Sequence, residues 1–297
     1  MLPMSRNVLF CLILGLSLLV AACASVPYTH RHQLLLTSEG SENQMGLQAF
    51  QQIEKKYKIC HNPAINAEVR RVGRRIAAAA NRPDYHWEFV VFDSKDANAF
   101  CLPGGKVGIF TGILKYTKNE GGLATVISHE VAHALARHAG ERLSQAMLAN
   151  IGGLGLSAAL GGVNPAAGQA IMTGYGLGTQ LAILLPYSRT QEYEADHIGL
   201  ILMAKAGYDP AQAVAFWKRM MIKDKKVKMP QFLSTHPTDA SRLRRLEAFL
   251  PEARKYYVPH HAAATPPHRE QRYERYSANL RPYQPAPPAG RWVPVTR

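Results

Sequence analysis

Residues Glu120 to His138 read E-G-G-L-A-T-V-I-S-H-E-V-A-H-A-L-A-R-H, and this stretch decides the fold. Leu123, Val126, Ile127, Val131, Ala134 and Leu135 recur at helical spacing, Asn119 is a ready N-cap, Glu120 opens the first turn and Arg137 follows the last. A helix this apolar is predicted to run through a core. Within it His129, Glu130 and His133 form H-E-x-x-H. Histidines four residues apart lie roughly 40° apart around a helix axis. Both imidazoles can therefore face one metal ion while the adjacent glutamate reaches a water beside it. At this composition chance supplies about 0.02 such matches per chain, so the spacing is read as chemistry.

A catalytic zinc normally takes three protein ligands. The metzincin continuation is missing, because Ala136 and Ala139 stand where its glycine and last histidine would be. His138 lies roughly 140° round the helix from His133 and is expected as a surface or capping residue. Downstream, Glu192-Tyr193-Glu194-Ala195-Asp196 places two acids four apart. On a helix one carboxylate can bind the metal while the other accepts a hydrogen bond from a ligand imidazole. Glu194 faces elsewhere, so Glu192 is the expected ligand and Asp196 its companion.

Around this centre the chain reads as α+β, mainly helical with one small sheet. Amphipathic helices are expected from Met45 to Tyr57 and from Pro63 through Ile76. Three short β-prone runs follow, Trp87 to Phe92, Asn98 to Leu102 and Lys106 to Phe110, separated by turn chemistry at Asp93-Ser94 and Pro103-Gly104-Gly105. Residues 147–185 are apolar and rich in Gly and Ala, and are expected as a packed helical hairpin. Helices are also expected over 210–221 and 238–250. Residues 257–297 hold eight prolines and a single leucine, too little apolar material to repay ordering, so a disordered tail is expected.

The N-terminus reads as an address. Arg6 precedes the apolar run Val8 to Val20, which is short for a membrane span. Leu19-Val20-Ala21-Ala22-Cys23 resembles a bacterial lipobox, which makes 1–22 a lipoprotein signal peptide, Cys23 the lipidated residue and 23–44 a tether to a peptidase domain over 45–256. Cys60 and Cys101 would then be the remaining thiols in an oxidising compartment, where they are either bonded or buried and reduced. The chain has 297 residues, 47% of them apolar, and a formal charge of +14. Collagen, heptad coiled coils, disulfide miniproteins and solenoids are excluded by the absence of their periods and cysteine density. The positive balance suits anionic lipid; with a signal peptide and no nucleic-acid motif, nucleic acid is not an expected partner.

Four ordered blocks carry a resemblance: Asn98-Ala99-Phe100-Cys101-Leu102-Pro103-Gly104-Gly105, His129-Glu130-Val131-Ala132-His133, Glu192 to Asp196, and Ser234-Thr235-His236-Pro237. Together they resemble the gluzincin peptidases, the family of the type 1 CAAX prenyl proteases, the heat-shock membrane protease HtpX and the periplasmic protease BepA, over residues 45–250. The multiple membrane spans of the HtpX branch and the C-terminal helical repeats of the BepA branch have no counterpart in the sequence, so a short outer-membrane lipoprotein is the most similar kind of member. The resemblance implies a zincin-type domain with one Zn2+ on His129, His133 and Glu192, and with Glu130 as general base. It further implies that Asp196 orients His129, and that His236 lies over the metal as oxyanion donor or displaceable fourth ligand. Asn98, Ala99 and Phe100 would belong to an edge strand that aligns substrate. The implied enzyme is a zinc metalloendopeptidase acting on misfolded or unassembled envelope proteins from the periplasmic face of the outer membrane. The rival expectation is a lipoprotein chaperone or assembly factor with a latent or vestigial zinc site.

Overall fold

The computed structural model describes residues 23–159, 188–221, 230–237 and 239–259. The expected signal peptide, most of the Gly/Ala-rich segment with its expected hairpin, the basic run 223–228 and nearly all of the Pro-rich tail lie outside the described residues. No helix among the described residues is long and apolar enough to cross a membrane.

The chain opens with a small antiparallel pair, β1 (Cys23–Ser25) and β2 (His32–Leu34), in the register Cys23 with Leu34. Here the structure corrects an expectation, because 23–44 is packed on the domain and is not a loose tether. Val26 and Leu35 are buried, Gln33 donates to the Ala136 carbonyl at 2.8 Å, and the first helix, α1 (Glu39–Lys56), already starts at its Ser38 cap. Three-residue strands are too short to show an alternation, and what fastens them is polar contact with distant residues.

Asn62 caps α2 (Pro63–Ala80) by accepting from the Ala64 and Ile65 amides, and Asn81 ends it in the left-handed region. Its buried face is Ile65, Val69, Val72, Ile76 and Ala80. The sheet comes next: β3 (Glu88–Phe92), β4 (Ala99–Leu102) and β5 (Lys106–Phe110), in spatial order β3-β5-β4, with β3 parallel and β4 antiparallel to β5. Alternation splits it into two apolar faces. Val91, Ala99, Cys101, Val107 and Ile109 join the main core. Phe92, Phe100, Leu102 and Phe110 turn the other way onto Ala49 and Phe50 of α1. The chain reverses between β4 and β5 with both Gly104 (φ 80°) and Gly105 (φ 83°) left-handed, a conformation that glycine adopts at little cost.

After the short α3 (Leu114–Thr117) comes the central helix α4 (Glu120–Leu135), capped by the Asn119 side chain on Gly122 N. From Gly122 to Leu135 it is buried throughout, because α2, α6 (Arg189–Lys205), α7 (Ala211–Met220) and β4 surround it. The remaining α-helices among the described residues are α5 (His138–Ala159), the five-residue α8 (Gln231–Thr235) and α9 (Ala240–Arg254).

The sheet order also answers the cysteine question. Cys60 and Cys101 are both buried, and neither is in a disulfide. Residues 58–60 run along the outer edge of β3, where Cys60 N donates to Val91 O and Ile59 bridges to Phe92, whereas Cys101 lies on β4 at the opposite edge. Three strand spacings of ~4.8 Å put the two near ~14 Å apart, about twice the ~7 Å that a disulfide tolerates between Cα atoms.

Candidate metal centre

Buried α4 presents His129 and His133 on one side, with ring centroids 4.7 Å apart and Nε2 atoms 3.2 Å apart. Helix α6, capped by a reciprocal Ser188–Gln191 box, brings Glu192 opposite them in its first turn. Glu192 Oε1 stands 3.4 Å from His133 Nε2 and Oε2 stands 3.5 Å from His129 Nε2. The turn after α8 brings His236, whose Nδ1 is 3.2 Å from His129 Nε2 and 2.9 Å from Glu192 Oε1. One ligand atom from each of the four residues lies within 4.8 Å of the others, and all four side chains are buried.

The donor set fits a zinc ion. Ligand bonds of 2.0–2.2 Å arranged tetrahedrally give edges of about 3.3–3.6 Å, and five of the separations, taken over both Glu192 oxygens, run from 2.9 to 3.5 Å. Two ring nitrogens facing each other at 3.2 Å can share one proton or one metal ion.

The electrostatics agree. Burial would raise the Glu192 pKa, but neighbouring His236 and Arg242 hold it well below the ordinary carboxylate range. Burial pushes His133 far down and so keeps its ring neutral. At His129 burial also opposes charge, yet Asp196 and Glu192 prevail and raise its pKa to about 9, so a metal must displace a proton there. Asp196 Oδ1 sits 3.1 Å from His129 Nδ1, on the far side of the ring from the cluster. Glu130, on the same helix, is 2% exposed, and its Oε1 accepts no hydrogen bond among the described residues, with His236 Nε2 3.3 Å away. Burial raises its pKa above the usual value despite the histidines nearby.

The expected edge strand is at an edge. Asn98 O accepts from Phe110 N on the β5 side, so by alternation Ala99 and Cys101 turn their main-chain groups outward. Phe232 N of α8 bonds Ala97 O on that same outer side, and the Phe232 ring lies over His129 and His236.

Two residues of the site escaped the sequence reading. Arg242 of α9 is 1% exposed; its Nε and Nη2 fork onto Asp196 at 2.6 and 2.8 Å, and its Nη1 lies 2.7 Å from Glu192 Oε2. Its guanidinium carbon is 3.7 Å from the Trp217 ring centroid, and Nη1 also donates to Pro237 O at 3.0 Å. The signal was phase, since Arg242 shares the buried face of α9 with Leu246 and Ala253. His138 is the second, and it corrects the surface assignment. The helix stops at Leu135, Arg137 turns left-handed (φ 54°) while its side chain is held by Glu42, and α5 restarts at His138, which is 0% exposed and faces back to His133. A continuous-helix projection fails across such a break.

Glu194 indeed faces away from the cluster. It accepts from Thr29, Arg31 and His138 at 2.6, 2.7 and 3.2 Å. Burial pushes its pKa up, but those bonds outweigh burial and hold it down at about 2. A depressed folded pKa adds stability above the unfolded value of about 4.3 and loses it as pH falls toward 2. The difference in urea midpoint between parent and Glu194→Gln should therefore be full near pH 6 and close toward pH 2; a pH-independent difference contradicts this.

Against known proteins, residues 63–250 match the model of peptidase family M48. The chain belongs to peptidase family M48. Among similar M48 proteins, the mitochondrial metalloendopeptidase OMA1 of Schizosaccharomyces pombe is 37% identical over 238 residues, covering 77% of this chain and 66% of the relative. The namesake of Saccharomyces cerevisiae is 31% identical over 269 residues, covering 82% and 75%. The beta-barrel assembly-enhancing protease of Escherichia coli is 30% identical over 211 residues, covering 69% of this chain and 43% of that protein. The chain thus spans between under half and three quarters of the length of these relatives. M48 membership makes it a metallopeptidase by family, with an α+β, mainly helical fold.

Proposed function

We propose that this M48 member is a zinc-dependent endopeptidase that cleaves misfolded or unassembled envelope proteins, held by lipid on Cys23 at the periplasmic face of the outer membrane. The observation that carries the catalytic part is the buried convergence of His129, His133, Glu192 and His236 with Glu130 beside them. The lipobox-like Cys23 and the bacterial relative's name support the location and the substrate class.

His129, His133 and Glu192 would hold the zinc, with Asp196 and Arg242 fixing two of them. When bound, the ion supplies Lewis-acid polarisation and makes water acidic enough to ionise near neutral pH. Glu130 takes the proton of the attacking water and returns it to the leaving amine; its burial-raised pKa suits both transfers. The outward main-chain groups of Ala99 and Cys101 can pair with any extended peptide, a mode that reads backbone and suits unfolded clients.

His236 Nδ1 occupies the fourth corner of the donor set. That position favours a centre closed at rest, which opens when the 230–237 segment moves, and it is the observation on which the latent-site alternative rests.

Metal analysis with a casein assay tests the reading. The parent should carry one zinc per chain and His133→Ala almost none, and chelation should stop cleavage until zinc is returned. A parent without zinc, or cleavage indifferent to chelation, sinks the proposal. Stoichiometric zinc with no cleavage even in His236→Ala favours the chaperone alternative.

A further inference from the structure

A second buried polar chain ends on one of the cluster's histidines. His133 Nδ1 and His138 Nδ1 are 2.8 Å apart, and His138 Nε2 is 3.2 Å from Glu194 Oε2. Arg31, between β1 and β2, donates to Glu194 at 2.7 Å and forks onto Glu141 at 2.6 and 2.9 Å. Gln191 donates to Glu141 at 2.7 Å, closing the network from α6.

Proton direction along this chain is set by its ends. If His133 gives its Nε2 lone pair to a metal, its own proton sits on Nδ1 and must be donated. His138 Nδ1 is the acceptor within reach, so the His138 proton sits on Nε2 and is donated to the Glu194 carboxylate. This one arrangement satisfies both nitrogens of both rings. The reverse pairing, with the proton on His138 Nδ1, would set a bare His138 Nε2 against the Glu194 carboxylate and a proton on the His133 Nε2 that a metal would take; the other two neutral pairings at 2.8 Å set two N–H groups or two lone pairs against each other.

We propose that His138 is a positioning residue for the metal centre: backed by Glu194 and Arg31, it sets the tautomer and ring plane of His133 so that Nε2 faces the ion. The inference rests on the reading of His133 as a zinc ligand. Ligand histidines usually donate to a carboxylate or carbonyl directly; His129 has Asp196 in that place, whereas His133 reaches its carboxylate through a second imidazole. Since Arg31 belongs to the N-terminal hairpin, the segment just after Cys23 becomes part of the support of the metal site.

Nitrogen-15 NMR of the zinc-loaded protein reads the tautomer directly. His138 should carry its proton on Nε2 with Nδ1 bare, and a proton on Nδ1 overturns the proposal. Zinc affinity, measured by competition with a chromogenic chelator, gives a second readout. His138→Phe keeps the bulk and removes acceptor and donor, and should bind zinc about 10- to 100-fold more weakly; His138→Gln, which keeps both, should recover most of that loss. Arg31→Met should show a smaller loss in the same direction. Unchanged zinc affinity in a folded His138→Phe overturns the role of His138 while leaving the metal reading intact, and a parent that binds no zinc overturns both. If His138→Phe does not fold, the tautomer and the Gln variant decide.

Discussion

Glu130→Gln is expected to lower kcat on an unfolded substrate such as casein by about 10²- to 10⁴-fold, with zinc content and melting temperature close to those of the parent. Glutamine matches glutamate in shape but cannot take a proton from water at neutral pH. The side chain is 2% exposed and its Oε1 accepts no hydrogen bond among the described residues, so the exchange disturbs few contacts. Glu130 also lies outside the four-residue donor cluster, so metal binding should survive. A loss confined to kcat, with KM held, is the signature of a group that acts in the transition state. Equal activity in variant and parent would remove Glu130 from the chemistry and with it the endopeptidase reading.

Arg242→Met is expected to lower stability by about 3–5 kcal/mol in the metal-free protein, read from urea unfolding. Methionine can occupy much of the space over Trp217, but it leaves Asp196 and Glu192 as two buried carboxylates without the cation that now faces both. Removing one partner of a buried ion pair strands the other charge, and that costs more than the pair contributes net. Bound zinc would neutralise much of the Glu192 charge, so the penalty should shrink in the loaded protein. Arg242→Lys should fall between the two, since an ammonium keeps the charge and loses the fork onto Asp196 and the stacking. A loss below about 1 kcal/mol in the metal-free protein would show that Asp196 and Glu192 are satisfied by other means.

The two variants probe different layers of legibility. Glu130 was readable because H-E-x-x-H is a local pattern on one helix, where angular spacing alone brings two rings and an acid together. The strands were readable for the same kind of reason: β3 to β5 lie within a residue of the runs expected from β-branched and aromatic content, bounded by Asp-Ser and Pro-Gly-Gly turns. Arg242 was half readable, in phase with a buried face but of a residue type that normally lies outside. His138 was misread because a single left-handed residue, Arg137, breaks the periodicity on which the projection depended. The hairpin was misread because Arg31, Gln33 and Thr29 are fastened by residues more than a hundred positions away.

By itself, then, the sequence determined the features that short-range stereochemistry dictates: the central helix and its paired imidazoles, the glutamate between them, the small sheet and the acidic helix that supplies Glu192. Only the tertiary structure decided which distant groups complete the centre. It placed His236 Nδ1 2.9 Å from Glu192, set Arg242 across Glu192 and Asp196, ran His133 through His138 to Glu194, and kept Cys60 and Cys101 at opposite edges of one sheet. The physical reason is that buried charges and ring nitrogens must find partners wherever the packed core puts them, and no local rule encodes where that is.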